Sequence, residues 1–253
     1  MSKTIAISGK GGSGKTTLAA MIVRHLVART GHSVLAVDAD PNACLGLALG
    51  VEPEMTVGEI RDDALERKLQ TGPGMDRQRA VQYAIQRAVA EAEGFDLLAM
   101  GHTEGPKCYC AVNHLLREYL DQAAGDYGWV VLDNEAGMEH LSRRTTDAVE
   151  FLLVVAEPTA IGAATARRIL ALAERLPIVV RRRGVLWNKV ADPAMVDTLG
   201  ADLPVIGIVP YDDAVLEAST RGATVFDLPA DAPAVAAVGD ALAAILDRAT
   251  QRT

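Results

Sequence analysis

Residues 9–16 read Gly-Lys-Gly-Gly-Ser-Gly-Lys-Thr and fit the phosphate-loop pattern G-x-x-x-x-G-K-[ST] at every fixed position. The flanks agree with that pattern. Residues 4–8, Thr-Ile-Ala-Ile-Ser, form a short apolar run that predicts a buried strand, and residues 18–28, rich in Ala, Leu, Met and Val, predict a helix. A glycine-rich turn between strand and helix aims backbone N–H groups inward, and the positive end of the helix adds to their field, so phosphates fit there. Lys15 is expected to reach the β- and γ-phosphates and the Thr16 hydroxyl to ligate Mg²⁺, with Gly11, Gly12, Ser13, Gly14 and Thr17 completing the nucleotide cradle.

At 253 residues the chain is long enough for one large α/β domain with a well-buried core, and a single domain over 1–253 is expected. Apolar residues make up 49% and aromatics 4%, which describes a core packed with Ala, Val and Leu and excludes a disordered or disulfide-stapled chain. No apolar run is long enough to span a bilayer. The first strand begins at residue 4, leaving no room for a signal peptide, so a cytoplasmic protein is expected. The net charge of −8 argues against nucleic-acid binding through the whole surface.

Further apolar runs predict strands at 33–37, 95–100, 129–132, 151–156, 185–187 and 205–209. Residues 55–92 are polar and predict helix, broken at 71–74; residues 101–107 predict a loop, 111–122 a helix, and 233–248 a closing helix. That closing helix has no basic amphipathic face and is expected to pack on the core, not on a membrane. Strands alternating with helices predict a mostly parallel sheet covered on both faces. Ligands in such sheets bind beyond the carboxyl ends of the strands. Asp38 and Asp40 follow the second strand, and Asp133 ends an apolar strand as the carboxylate that holds Mg²⁺ does in such proteins. Asp38 is expected to support the same ion from behind.

Lys10 is not required by the ordinary phosphate-loop pattern. With it, residues 10–16 resemble the deviant Walker A of the MinD/ParA/nitrogenase-iron-protein class. The resemblance implies an ATP-hydrolysing homodimer in which Lys10 crosses the interface to touch the partner's nucleotide, much as an arginine finger does. It also implies that Asp40 orients the attacking water, that residues 134–137 form a mobile switch, and that Asn188 with Lys189 binds the base. Val209, Pro210, Tyr211 and Asp212 would form the pocket's other wall, and ATP would be preferred over GTP.

Cys108-Tyr109-Cys110 supplies two sulfurs, and a structural Zn²⁺ site wants four ligands. A two-fold dimer would bring Cys108 and Cys110 of both subunits together as a thiolate tetrad suited to Zn²⁺ or Ni²⁺. His102 and His114 flank this loop and are read as ordinary polar residues before accessory ligands; Cys44, in an apolar stretch, is expected in the core. Residues 38–46, 108–110, 135–141 and 156–158, taken in order, are similar to the carbon-monoxide dehydrogenase maturation ATPases. That family implies an ATPase that helps load nickel into the dehydrogenase, its client. Asn134 departs from it, since an apolar residue is expected after Asp133.

Three other readings remain open on sequence. A DNA-partitioning or regulatory ATPase could use Arg181-Arg182-Arg183 as a DNA patch, although such runs are more often solvated faces. An accessory ATPase for acetyl-CoA synthase would share the same motifs. An electron-transfer ATPase would need a cluster-ligating cysteine after Asp133, and none follows Cys110.

Overall fold

The computed structural model describes residues 2–31, 33–65, 77–102, 118–119, 125–135, 148–175 and 178–250. The helix 111–122 falls largely outside the described residues, and the break at 71–74, Cys108, Cys110, His114 and residues 136–137 of the switch at 134–137 fall outside them.

The described strands are β1 (Lys3–Gly9), β2 (Val34–Ala39), β3 (Ala90–Ala92), β4 (Phe95–Ala99), β5 (Trp129–Asn134), β6 (Ala148–Ala156), β7 (Val179–Val190) and β8 (Val205–Pro210). They form one sheet in the order β3-β4-β2-β5-β1-β6-β7-β8. Only the three-residue edge strand β3 runs antiparallel, to β4. Every residue of β2 and β5 is buried, as expected for parallel strands covered on both faces.

The helices, numbered in chain order among the described residues, are α1 (Lys15–Thr30), α2 (Leu45–Leu49), α3 (Val57–Leu65), α4 (Arg77–Arg87), α5 (Ala160–Ala173), α6 (Ala194–Gly200), α7 (Asp213–Arg221) and α8 (Pro233–Thr250). Alternation along the strands sorts the core into two layers. Ile5 and Ile7 of β1 pack with Leu18, Met21, Ile22 and Leu26 of α1 and with Val238 and Leu242 of α8. Ala6, on the opposite face, packs with Leu35, Val37 and Leu98 and with Ala163 and Ala166 of α5. The α8 helix therefore packs on the core as its composition predicts.

The structure corrects the reading of residues 55–92, which hold α3, α4 and the edge strand β3 instead of helix throughout. The Ala-Glu-Ala of β3 carries no strand signal of its own; its pairing with β4 through Ala92↔Phe95 makes it a strand. Cys44 is exposed instead of buried, because it immediately precedes the short helix α2 and its thiol turns out to the Asn42 carbonyl, 3.6 Å away.

Candidate nucleotide site

The loop between β1 and α1 owes its shape to its glycines. Gly14 sits at the helix start with φ 92° and ψ 21°, a left-handed conformation that L-residues rarely adopt. A side chain there would also collide with the Asn188 amide. At Gly9 a Cβ would strike the Val155 carbonyl of β6, the strand paired with the end of β1. No side chain caps the start of α1, and its first turn carries no acid. The first N–H groups of a sixteen-residue helix therefore face the loop unclaimed by any side chain, which is the arrangement that binds an anion.

Lys15 is buried, and its ammonium lies 3.5 Å from the Lys10 carbonyl. Ser13 ties down the same carbonyl through its N–H (3.2 Å) and its hydroxyl (2.8 Å). The Lys10 side chain is exposed. The strand register sets the acids beside the loop: Asp38 of β2 pairs with Asp133 of β5, which pairs in turn with Ile7 of β1. Both acids lie within their strands and are buried.

Their surroundings differ. Asp38 accepts hydrogen bonds from the Asp40 N–H (3.1 Å) and the Leu45 N–H (2.7 Å), so it folds the turn that carries Asp40. Burial nonetheless pushes its carboxyl up to about 6, against those two backbone bonds. Neither oxygen of Asp133 has a hydrogen-bond partner of ordinary geometry among the described residues. Burial pushes the Asp133 carboxyl up to about 7; the Thr16 hydroxyl opposes this, Asp38 adds to it, and the Lys15 ammonium opposes it. A buried carboxylate with open lone pairs beside a threonine hydroxyl fits a hard divalent cation with oxygen ligands. Asp133 and Thr16 would hold Mg²⁺ there, with Asp38 behind them.

Asp40 accepts from the N–H (2.9 Å) and side-chain amide (2.8 Å) of Asn42, a tight turn just beyond β2. Asn134 is buried and donates to the Ile7 carbonyl at 2.8 Å, stitching β5 to β1 beneath the loop. The bond gives the amide nitrogen a partner in place of the apolar contact the family resemblance leads one to expect, while the amide oxygen is buried with no partner among the described residues.

Asn188, Lys189, Pro210 and Tyr211 line a pocket of about 180 Å³ together with Gly14 and Thr17 at the start of α1. The pocket thus adjoins the phosphate loop, as a base pocket must. Asn188 donates to the Ser13 carbonyl (2.8 Å), and Lys189 to the Gly12 carbonyl (2.7 Å) and the Glu157 carboxylate (2.8 Å). Asp212 lines the same pocket, as expected, while Glu157 as a partner of this region and the link from Asp212 to residue 234 were not foreseen in the sequence. The Asp212 carboxylate accepts from the Ala214 N–H (2.9 Å) and the Ala234 N–H (3.0 Å), joining the starts of α7 and α8. A helix-start signal was present at Asp212-Asp213, but its link to residue 234 spans the fold and leaves no local mark.

Among the described residues no group of three or more His, Cys, Asp or Glu side chains could hold a metal ion by itself, and no helix is long and apolar enough to cross a membrane.

This loop, helix and carboxylate arrangement defines a P-loop nucleotide-binding protein. The family described as CobQ/CobB/MinD/ParA nucleotide binding domain matches residues 4–225, and the chain belongs to it. The chain is 39% identical to the uncharacterized ATP-binding protein MJ0685 of Methanocaldococcus jannaschii, over 89% of this chain and 91% of that one. It is 33% identical to the carbon monoxide dehydrogenase accessory protein CooC of Rhodospirillum rubrum, over 96% of each chain. Two solved structures share the fold: the septum site-determining protein MinD of Pyrococcus horikoshii with Mg-ADP (TM-score 0.72, 20% identity, covering 100% of this chain and 99% of that one), and cobyrinic acid a,c-diamide synthase of Mycobacterium smegmatis with an ATP analogue and magnesium (TM-score 0.71, 20% identity, covering 100% and 97%).

Proposed function

We propose that the chain is a cytoplasmic, homodimeric, Mg²⁺-dependent ATPase that serves nickel insertion into carbon monoxide dehydrogenase. The likeness to the Rhodospirillum rubrum accessory protein carries this reading, because it runs over nearly the whole of both chains. The phosphate loop and the open Asp133 carboxylate support the nucleotide half. Loop N–H groups and Lys15 bind the triphosphate of ATP, Asn188, Pro210 and Tyr211 hold the adenine, and Asp40, just beyond β2, orients water toward the γ-phosphate. Mg²⁺, when bound, neutralises charge on the phosphate oxygens. Lys10 is exposed, as a residue that reaches a second subunit must be. In this reading Cys108 and Cys110 of two subunits hold the transported Ni²⁺, or Zn²⁺ in its place, and hydrolysis to ADP loosens the dimer and releases it.

Two measurements test the halves separately. Lys10→Ala is expected to lower ATP turnover roughly a thousandfold while leaving nucleotide affinity near wild type; turnover that is unchanged would remove Lys10 from the reaction. Metal titration on a mass-calibrated sizing column, with and without nucleotide, is expected to give one Ni²⁺ or Zn²⁺ per dimer in the wild type and none in Cys108→Ala. Metal retained by that variant would place the cargo site elsewhere.

The DNA-partitioning reading is left with a weakened basic patch. Arg181 and Arg182 share Glu150, and Arg183 pairs with Glu174, so two of the three charges are balanced within the fold. The acetyl-CoA synthase alternative shares the whole site and would be separated only by its client.

A further inference from the structure

The end of β7 grips the phosphate loop in a way a regular strand could not. Successive side chains of a strand point to opposite faces. Asn188 and Lys189 are consecutive, yet both donate to the same loop, at the neighbouring carbonyls of Ser13 and Gly12.

Two features of β7 make this possible. Trp187 pairs with Ile208 of β8 and Val190 with Pro210, so three residue steps on β7 stand against two on β8. Within that irregularity Lys189 has φ 58°, a left-handed conformation in a residue that carries a side chain. A bulge with one left-handed residue re-aims a side chain, and strain of this kind persists where the surroundings hold it in place. Here the Lys189 ammonium is held from two sides, by the Gly12 carbonyl at 2.7 Å and the Glu157 carboxylate at 2.8 Å.

The consequence concerns the direction of the loop's dipoles. Carbonyl oxygens turned toward a triphosphate would repel it, whereas N–H groups turned toward it attract it. The Lys10 carbonyl is already tied down within the loop by Ser13. Asn188 holds the Ser13 carbonyl and Lys189 the Gly12 carbonyl. We infer that Lys189, braced by Glu157, is a positioning residue for the phosphate chain: it draws the Gly12 carbonyl aside, so that the loop presents donors to phosphate. Its role in this inference is distinct from contact with the base. The inference rests on the nucleotide-binding reading and deepens it.

The test uses two ligands, Mg-ATP and Mg²⁺ with inorganic triphosphate, which has no base, titrated calorimetrically against the full chain. Lys189→Ala and Lys189→Gly are each expected to weaken both ligands by about tenfold, the usual effect of losing one charge-assisted hydrogen bond. Lys189→Arg should recover part of the loss for both. Tyr211→Ala, at the base-pocket wall, should weaken ATP alone. Lys189→Gly relieves the left-handed strain and should melt above Lys189→Ala, so affinity loss that is equal in the two cannot be a by-product of lost stability. ATP weakened with inorganic triphosphate untouched would make Lys189 a base contact and overturn the inference. So would a loss confined to the less stable variant, or unchanged binding of both ligands. A wild-type chain that binds neither ligand would overturn the nucleotide reading itself, and this inference with it.

Discussion

Asp133→Asn is expected to make the nucleotide-free protein more stable at pH 8 and, on the proposed function, to lower Mg²⁺-dependent ATP hydrolysis. The wild-type carboxylate is buried, lacks hydrogen-bond partners of ordinary geometry among the described residues, and titrates at about 7 instead of 3.8. Its folded state therefore holds a proton that the unfolded chain releases. The sign follows: with respect to this group, stability is greatest below pH 3.8, declines as pH rises, and has lost its full share once pH passes about 7. Asp38 works in the same direction but only up to about 6, so the decline between pH 6 and 7 is chiefly that of Asp133. Removing the charge should recover about 2 kcal/mol at pH 8, or about 5 °C in melting temperature for a chain of this length. With Asp133 in its proposed role as the buried ligand of Mg²⁺, hydrolysis should fall roughly a hundredfold or more. Melting curves from pH 4 to 9, with and without Mg-ADP, check both halves. Wild type should gain stability from Mg-ADP and the variant much less. A variant that melts below wild type at pH 8 would show that the open carboxylate is not under strain.

The second large effect is expected at Gly14. Gly14→Ala forces a side chain into φ 92° and drives its Cβ against the Asn188 amide, which holds the Ser13 carbonyl. Left-handed strain and overpacking together should cost about 3 kcal/mol. Affinity for ADP should fall by roughly a hundredfold or more, because the displaced N–H groups are those that face phosphate. Gly12 supplies the comparison. Its φ is 81°, but a Cβ there meets nothing within 4 Å, so Gly12→Ala should carry the strain alone, about 1–2 kcal/mol. Calorimetric melting and ADP titration of the two variants side by side would separate collision from strain. Equal losses would deny the Asn188 contact any part.

The sequence discloses the phosphate loop, Asp38, Asp40 and Asp133 because each follows or ends an apolar run, a pattern written within a few neighbouring residues. The buried strands are legible for the same reason. Their limits fall short where polar residues continue the pairing: β7 begins at Val179, with Arg182 and Arg183 matched to β6 and paired with Glu150 and Glu174. What escaped is tertiary. The strand β3 exists only by pairing with β4. Cys44 is exposed because the Asp38 carboxylate, by binding the Leu45 N–H, fixes the turn just before it. The left-handed Lys189 arises from an extra residue against β8, and no local composition announces it, since lysine shows no preference for that conformation.

Asp212, which lines the pocket beside the phosphate loop, gives that pocket a fixed wall. One carboxylate closes the first turns of two helices, so the corner that follows Tyr211 is set by α7 and α8 at once. The wall against which a base would lie is therefore preorganised. The entropy of ordering it is met when the chain folds and not when the ligand arrives, so binding energy at that wall is left free for discrimination among ligands.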